Sequence, residues 1–207
     1  MYLADGRNAP LHFINTYKRD YRGIYKDSLR NYEGFLNWCA ATGVICQDRL
    51  LQLDIEMRCY VREAERVFEL ALATRKCLDE LFNCLQSGRP VHGQVLHFFN
   101  QMSAEVKAHM RYEIGPRGLE QFWININEEL AAPLWFVMGE AMLLIDFGKL
   151  RLVKKCPLCG SLFLDESRTR NRIWCNPNTC GSVRKSVSYY NRKSQTVEGL
   201  KMEEVRK

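Results

Sequence analysis

Apolar residues recur every three or four positions through most of residues 1–148, which is the spacing of one face of an α-helix. The first segment, LHFINTYKRDYRG, is predicted to be a short apolar entry followed by a polar loop. The stretch LRNYEGFLNWCAAT predicts a helix that Ser28 caps and Gly43 ends. From Gln47 to Gln86 the chain contains no glycine or proline, and its apolar stripe predicts one long helix or two that join near Tyr60.

The spacing changes from helical to alternating after a further predicted helix, GQVLHFFNQMSAEV. Aromatic residues and isoleucines alternate with polar residues in HMRYEI and LEQFWININ, on either side of GPRG, which predicts a β-hairpin. An apolar helix from about Leu134 to Phe147 follows, and Gly148 closes it. The pattern therefore predicts a mainly α, α+β fold, with a helical amino-terminal domain that contains one β-hairpin.

Four cysteines near the carboxyl end lie in two close pairs, Cys156 with Cys159 and Cys175 with Cys180. Structural zinc sites are commonly built from two such pairs, whose four thiolates surround the ion as a tetrahedron. The proline and glycine of CPLCG stiffen the turn and let backbone N–H groups approach the sulfurs. We therefore predict a small four-cysteine zinc-finger module, with one structural zinc ion per chain bound by these residues.

A thioredoxin-like redox pair is the alternative for Cys156 and Cys159, but it leaves Cys175 and Cys180 unexplained. A catalytic zinc is not expected, because residues 149–207 contain no histidine and four thiolates leave no position open for water. Since no nucleophile–base pair, phosphate-binding loop or paired carboxylates stand out either, we expect that the chain is not an enzyme. We interpret the remaining cysteines as buried structural thiols: Cys39, Cys46, Cys59, Cys77 and Cys84.

The amino terminus carries charges where a signal peptide needs an apolar run, so we expect a cytoplasmic protein with free or metal-bound thiols. The most apolar span, LAAPLWFVMGEAMLLIDFG, is interrupted by Pro133, Glu140 and Asp146. It is therefore predicted to be a buried helix rather than a membrane span, and no membrane partner is expected.

Charge is distributed unevenly between the two parts of the chain. Residues 1–148 contain 16 Lys and Arg against 19 Asp and Glu, a formal net charge of −3, whereas residues 149–207 contain 14 against 5, or +9. Four thiolates with one Zn²⁺ carry about −2, which leaves the carboxyl end with roughly +7. A basic end on a slightly acidic body indicates a polyanionic partner, and we predict nucleic acid, with duplex DNA first.

The cations of the carboxyl end lie in a predicted loop, SRTRNR, and on a predicted helix, GSVRKSVSYYNRK. The helix is predicted to pack Val183, Val187 and Tyr190 on the zinc knuckle and to turn its basic residues outward. A solvated helix face, with loop arginines paired to Asp165 and Glu166, is the alternative. The candidate nucleic-acid contacts are Arg168, Arg170, Arg172, Arg184, Lys185, Arg192 and Lys193.

Few polar groups in the helical domain indicate a ligand site. We nominate Asn15, Thr16, Arg22 and Glu140 for a pocket, although backbone capping or an ordinary surface or core position is the favoured interpretation of each. The alternatives to a DNA-binding regulator are therefore an RNA-binding protein, an adaptor that grips an acidic protein, and a small-ligand-binding body with an accessory finger. No effector is identified, and a homodimer is considered only because symmetric dimers are common.

The segment RLVKKCPLCGSLFLDESRTRNRIWCNPNTCGSVRK resembles the CGNR-type zinc finger at the carboxyl end of bacterial ABATE-domain proteins. Upstream, LHFINTYKRDYRG resembles the entry motif of the ABATE domain, with Asn15-Thr16 in place, and LALATRKCLDELFNCLQSGRP resembles its central helix. The resemblance implies a bacterial transcription regulator linked to stress. Its parts would be a helical domain at 1–148 as candidate sensor, a zinc finger at 149–195 as the DNA contact and a polar tail at 196–207.

The four paired cysteines fall on the metal positions of that family, but one neighbouring position departs from its motif. The family has Asn-Arg directly after Cys-Gly, whereas this chain has Ser182-Val183 and places its arginine one residue later, at Arg184. If the family arginine reads a base or a phosphate, this chain contacts its partner there either differently or not at all.

Overall fold

The computed structural model describes residues 8–20, 22–116, 118–124, 126 and 129–189. The helices are α1 (Ala9–Ile14), α2 (Tyr32–Ala41), α3 (Gln47–Cys59), α4 (Val61–Ser87), α5 (Gly93–Ala108), α6 (Ala132–Asp146) and α7 (182–189). The strands are β1 (Tyr17–Arg19), β2 (Tyr25–Asp27), β3 (Met110–Gly115), β4 (Gly118–Trp123), β5 (Val153–Lys155) and β6 (Leu162–Leu164). Within these ranges, no helix combines the length and the apolarity that a membrane crossing requires.

The helices predicted for the first half of the chain are confirmed. The long pattern forms two helices, α3 and α4, which meet at Tyr60, where the backbone leaves the helical conformation. Gly88 ends α4 with a φ of 68°, a left-handed conformation that glycine adopts without a Cβ clash. The predicted cap of α2 is wrong, because Asn31 rather than Ser28 caps it and accepts a hydrogen bond from the Gly34 N–H at 2.8 Å.

The core of the helical domain forms around α6, with α1 and α5 packed against it. Apart from Glu140 and Asp146 this helix is apolar, and Leu134, Val137 and Met138 are at most 1% exposed. Phe13 of α1 and Phe82 of α4 are completely buried in the same cluster. Since each large apolar side chain contributes about 1.5–3 kcal/mol when it is buried, this cluster is the main source of stability of the domain.

The predicted hairpin is confirmed as the antiparallel pair β3–β4, and the structure adds two hairpins that the sequence pattern did not predict. Strand β1 lies in the segment that was predicted to be a polar loop, and its partner β2 follows that segment. The turn between β5 and β6 contains the first cysteine pair, Cys156 and Cys159. Each of these strands has three residues, which is too short to produce a recognisable alternation of apolar and polar positions.

The segment that follows α6 is packed on the helical domain rather than tethered to it by a free linker. The Asn15 amide Nδ2 donates to the Leu162 carbonyl at 2.7 Å, and its Oδ1 accepts from the Leu162 N–H at 3.0 Å. Lys155 Nζ donates to Asn83 Oδ1 of α4 at 2.7 Å. Strands β5 and β6 also add apolar side chains to the core cluster. The two parts therefore share both hydrogen bonds and a common apolar core.

The cysteines outside the two pairs divide into two groups. Cys39, Cys77 and Cys84 are buried as predicted, and burial raises the pKa of the Cys39 thiol well above its usual value. Cys46 and Cys59 are exposed, so the prediction is wrong for these two. They stand just before the start and at the end of α3, where the chain faces solvent.

Candidate functional site

The four paired cysteines converge into one cluster. Cys156 and Cys159 lie in the turn between β5 and β6, and Cys180 lies in a π-helical turn (Pro177–Gly181) that leads into α7. The four Sγ atoms lie within 4.8 Å of one another, and those of Cys159 and Cys180 are each 3.6 Å from that of Cys175. Sulfurs at about 2.3 Å from a tetrahedral Zn²⁺ are about 3.8 Å apart, so the cluster fits one structural zinc ion held by four thiolates.

The turn that carries the first cysteine pair is stabilised by its own backbone. The Cys156 N–H donates to the Ser161 carbonyl, and the Gly160 N–H donates to the Cys156 carbonyl, both at 2.8 Å. Gly160 has a φ of 75°, a left-handed conformation that favours glycine. The Ser161 hydroxyl lies 3.2 Å from Cys159 Sγ, where it can donate to the thiolate. These contacts orient the first two sulfurs toward the second pair.

The sulfur cluster needs a cation to hold four ionised thiols. Burial raises the pKa of the Cys159 thiol, but hydrogen bonds with Ser161 outweigh it and lower that pKa to about 7. Burial and the neighbouring sulfurs raise the pKa of Cys175 well above its usual value, and burial raises that of Cys180. The Cys159 thiolate therefore forms readily, whereas Cys175 and Cys180 resist ionisation until a bound divalent ion balances the charge.

Asp165 organises the loop between the two cysteine pairs. Its carboxylate is 0% exposed and accepts hydrogen bonds from Lys154 Nζ at 2.6 Å, from the Ser167 hydroxyl, and from the Arg172 N–H at 3.0 Å. Lys154 Nζ also donates to the Arg170 carbonyl at 2.5 Å. The hydrogen bond from Lys154 is the main reason that the pKa of the Asp165 carboxyl lies far below its usual value. Its charge is thus paired with Lys154 and not with the loop arginines.

Arg172 is bound inside the finger. Its guanidinium donates to the carbonyls of Trp174 and Cys175 and lies 4.9 Å from the centre of the Phe163 ring. The side chain is half-buried. This placement corrects the prediction of a phosphate clamp for Arg172, because its donors are used to hold the chain next to the second cysteine pair.

Four of the other predicted nucleic-acid contacts are exposed on the outside of the finger. They lie in the loop after Asp165 and on α7, and within the described ranges their charged side-chain groups form no hydrogen bond or ion pair. Lys154 donates to Arg170 only at its backbone carbonyl. Their charges are therefore open to an external partner. These four residues, which we call the finger cations, are Arg168, Arg170, Arg184 and Lys185. Two further predicted contacts, Arg192 and Lys193, lie outside the described residues.

The predicted apolar face of α7 is supported only in part. Val183 is half-buried, whereas Val187 is 41% exposed, and Tyr190 lies outside the described residues. The start of the helix is fixed instead by the turn that carries Cys180. There the Asn176 side chain accepts hydrogen bonds from two backbone N–H groups, at 2.8 and 3.2 Å. The π-helical turn that carries Cys180 is therefore what fixes the start of α7 among these contacts.

The residues nominated for a ligand pocket do not converge on one site. Asn15 bonds the backbone of β6, and the Thr16 hydroxyl is buried and accepts a hydrogen bond from Arg75 at 2.8 Å. Arg22 is exposed near the turn between β1 and β2. Glu140 lines a separate cavity of about 470 Å³ between α6 and the β3–β4 hairpin. The first two residues are thus structural, which agrees with the interpretation that the sequence favoured.

Sequence reasoning missed an ion pair that braces the β1–β2 hairpin. The Arg75 guanidinium donates to both carboxylate oxygens of Asp27, at 2.8 and 2.6 Å, and lies 5.6 Å from the centre of the Tyr17 ring. Burial raises the pKa of the Asp27 carboxyl, but the bonds from Arg75 outweigh it and the net pKa is lowered. The partners are 48 residues apart, so no local spacing signals the pair.

Two known protein families match the chain. The model of the ABATE family, described as "Putative stress-induced transcription regulator", matches residues 7–146. The model of the CGNR zinc finger matches residues 153–193. The two matches cover different parts of the chain, in the order that the sequence resemblance implied. No curated protein sequence matches the chain.

Proposed function

Because the chain belongs to the ABATE family and carries a CGNR zinc finger, we propose that it is a bacterial, cytoplasmic transcription regulator whose finger binds duplex DNA. The observation that supports this most is the charge of residues 149–207, a net +9 next to a body of −3. The finger cations are exposed on a module whose shape a metal ion fixes. The helical domain is then the candidate sensor.

Zinc supplies rigidity to this surface and takes no part in a reaction. Four thiolates close the coordination shell, so no position is open for water or a substrate. The ion joins the β5–β6 turn to the turn before α7, and Asp165 orders the loop between them. The finger cations are thereby held in fixed positions, which suits contacts to the regularly spaced phosphates of a duplex.

We also propose that the protein acts by binding and not by catalysis. Asn15 and Thr16, which were nominated as polar pocket residues, are occupied in structural hydrogen bonds. Glu140 lies at a different place from both, on α6. A turnover assay has no substrate to start from, whereas a binding assay tests the proposal directly.

The test is fluorescence anisotropy of labelled duplex DNA titrated with the full zinc-loaded chain at several salt concentrations. If the four finger cations contact phosphates, log K falls against log salt with a slope of about −3.6. The double variant Arg184→Gln/Lys185→Gln is expected to reduce the magnitude of that slope by about 2. The matched control, Arg62→Gln/Arg66→Gln, removes two exposed cations from α4 and should leave the slope unchanged.

The absence of duplex binding at low salt would overturn the proposal. Tighter binding of single-stranded RNA than of duplex DNA, with the same dependence on Arg184 and Lys185, would assign the finger to RNA instead. A slope that is equal in both double variants would show that the finger cations are ordinary solvated charges.

A further inference from the structure

A cleft of about 440 Å³ lies where the β1–β2 hairpin and α4 meet the zinc knuckle. Its volume falls within the range of small-molecule sites, roughly 300–1,000 Å³. Cations from both parts of the protein line it, namely Lys18, Arg19 and Lys155. A neighbouring cavity of about 300 Å³ shares Asn15, Lys18 and Ser161 with it. Lys18 therefore lies where the two cavities adjoin, between the helical domain and the finger.

Among the described residues, no carboxylate pairs with Lys18. In the β1–β2 register Lys18 is directly opposite Lys26, and like charges in that position destabilise an antiparallel pair. Burial first, and then the charge of Lys18, lower the pKa of His12. Lys26 has Asp20 at 3.9 Å, whereas Lys18 forms no ion pair with any carboxylate in the described ranges. Two like charges that face each other beside a cleft, with no carboxylate in the described ranges paired to Lys18, indicate a site for an external anion.

The other two cations of the cleft are partly balanced by the protein. Four thiolates with one Zn²⁺ carry about −2, and Arg19 lies beside the turn that holds the first cysteine pair, since its Nε is 3.7 Å from the position that a Cβ on Gly160 would take. Lys155 donates to Asn83 and lies near the carboxylate of Asp79, which also lines the cleft. Lys18 is therefore the primary anion contact, and Arg19 and Lys155 support it.

Two stacked tyrosines form the rim of the same cleft. The rings of Tyr17 and Tyr25 are 5.3 Å apart and inclined by 20°, and Arg75, itself fixed by Asp27, lies against Tyr17. Both rings line the cleft, yet Tyr25 is 61% exposed. An exposed aromatic ring that is held by a stacking partner is a platform for a nucleobase, which contributes about 1–3 kcal/mol per stacked base.

We propose that this cleft binds a nucleotide, with its phosphate at Lys18 and its base stacked on Tyr25. The nucleotide has two sources with the same chemistry: a free mononucleotide that acts as an effector, or an unpaired nucleotide of a strand held by the finger. The second source rests on the proposed function of the finger, and the first does not. In either case the ligand contacts both the helical domain and the zinc knuckle.

The test measures two probes on the full zinc-loaded chain. The four common ribonucleoside monophosphates are titrated by calorimetry, and a labelled single-stranded oligonucleotide is titrated by anisotropy. Tyr25→Leu is expected to lower the affinity for whichever probe binds by at least about fivefold. Tyr25→Phe retains the ring, so its affinity should lie within about twofold of that of the unmodified chain. Lys18→Gln should lower the affinity for either probe. For the oligonucleotide it should also reduce the magnitude of the slope of log K against log salt by about 1.

Arg62→Gln is the matched control for charge, because Arg62 is exposed on α4 about 25 Å along the helix from Asp79. Mononucleotide binding that Tyr25→Leu weakens identifies a free nucleotide as the ligand, and an effect on the oligonucleotide alone identifies a strand. The proposal is overturned if neither probe binds. It is also overturned if the Tyr25→Leu and Lys18→Gln variants bind the probes with the same affinity as the Arg62→Gln variant. Duplex binding that depends on Arg184 and Lys185 would still stand in that case, so the two proposals fail separately.

Discussion

In the helical domain Phe35, Leu53 and Leu78 are completely buried among other apolar side chains, whereas the finger converges on four sulfurs and the buried carboxylate of Asp165. The stability of the helical domain is thus spread over many apolar contacts, each worth a few kcal/mol. The finger shares a few apolar side chains of β5 and β6 with the core of that domain, but its own folding depends mainly on one ion and a small polar network. Loss of a single metal ligand is therefore expected to unfold the finger, whereas a single core substitution weakens the helical domain by only a few kcal/mol.

The largest effect is expected from loss of a zinc ligand. Cys156→Ser should reduce bound zinc from one equivalent per chain to near zero and abolish DNA binding, because structural zinc contributes about 10–16 kcal/mol to the folding of isolated zinc fingers. The helical circular dichroism signal of α1 to α6 should largely remain. Elemental analysis measures the bound zinc, and a DNA titration measures the loss of binding. Cys46→Ser is the control, since Cys46 is an exposed thiol outside the cluster, and a full equivalent of zinc in Cys156→Ser would contradict the site.

A smaller effect, confined to the helical domain, is expected when its core is truncated. Phe35→Ala should lower the free energy of unfolding by about 3–5 kcal/mol in urea titrations, since the side chain is 0% exposed and leaves a cavity. The folded protein should still bind one equivalent of zinc. Phe147→Ala, at a position that is 70% exposed, should change stability by less than about 0.5 kcal/mol. Equal losses of stability for the two substitutions would contradict the assignment of Phe35 to the buried core.

The junction between the two parts is tested by Asn15. Replacing it with alanine removes both hydrogen bonds to Leu162 and leaves that backbone unpaired, which should cost about 1–3 kcal/mol. Urea unfolding measures the loss, and Asn37→Ala on the exposed face of α2 is the control. A loss no greater than that of the control would mean that the finger is not fixed to the helical domain through this residue.

The smallest effect is a pH dependence that comes from Asp27. Its folded-state pKa is lowered, so the ion pair with Arg75 stabilises the protein fully above the unfolded-state pKa, about 3.9, and loses this contribution as the pH falls through the lower folded-state pKa. The stability difference between the unmodified chain and Asp27→Asn should therefore be constant from pH 7 to 5 and shrink below pH 4. A difference that does not change with pH would contradict the assignment.

Local spacing is what made parts of this structure predictable. The helices α3 and α4 follow from a long apolar stripe without glycine or proline, and the zinc site follows from two close cysteine pairs. Features that join distant residues were not predictable. Asn15 and Leu162 are 147 positions apart, and the hydrogen bonds between them form only after both parts have folded.

Orientation was a second limit of prediction. Arg172 has the same local context as Arg168 and Arg170 in SRTRNR, but the loop turns its guanidinium inward to the carbonyls next to the second cysteine pair. The strands of the β1–β2 and β5–β6 hairpins are three residues long and give no periodic signal. The cleft beside Lys18 combines the first hairpin with the zinc knuckle, so it exists only in the folded chain.

The most direct test of the contrast between the two parts is amide hydrogen exchange of the full chain, followed by mass spectrometry, before and after zinc is removed with a chelator. Peptides from 153–165 and 174–182 are expected to exchange much faster without zinc, while peptides from α4 and α6 keep their protection. Equal protection of the finger peptides with and without zinc would contradict that contrast.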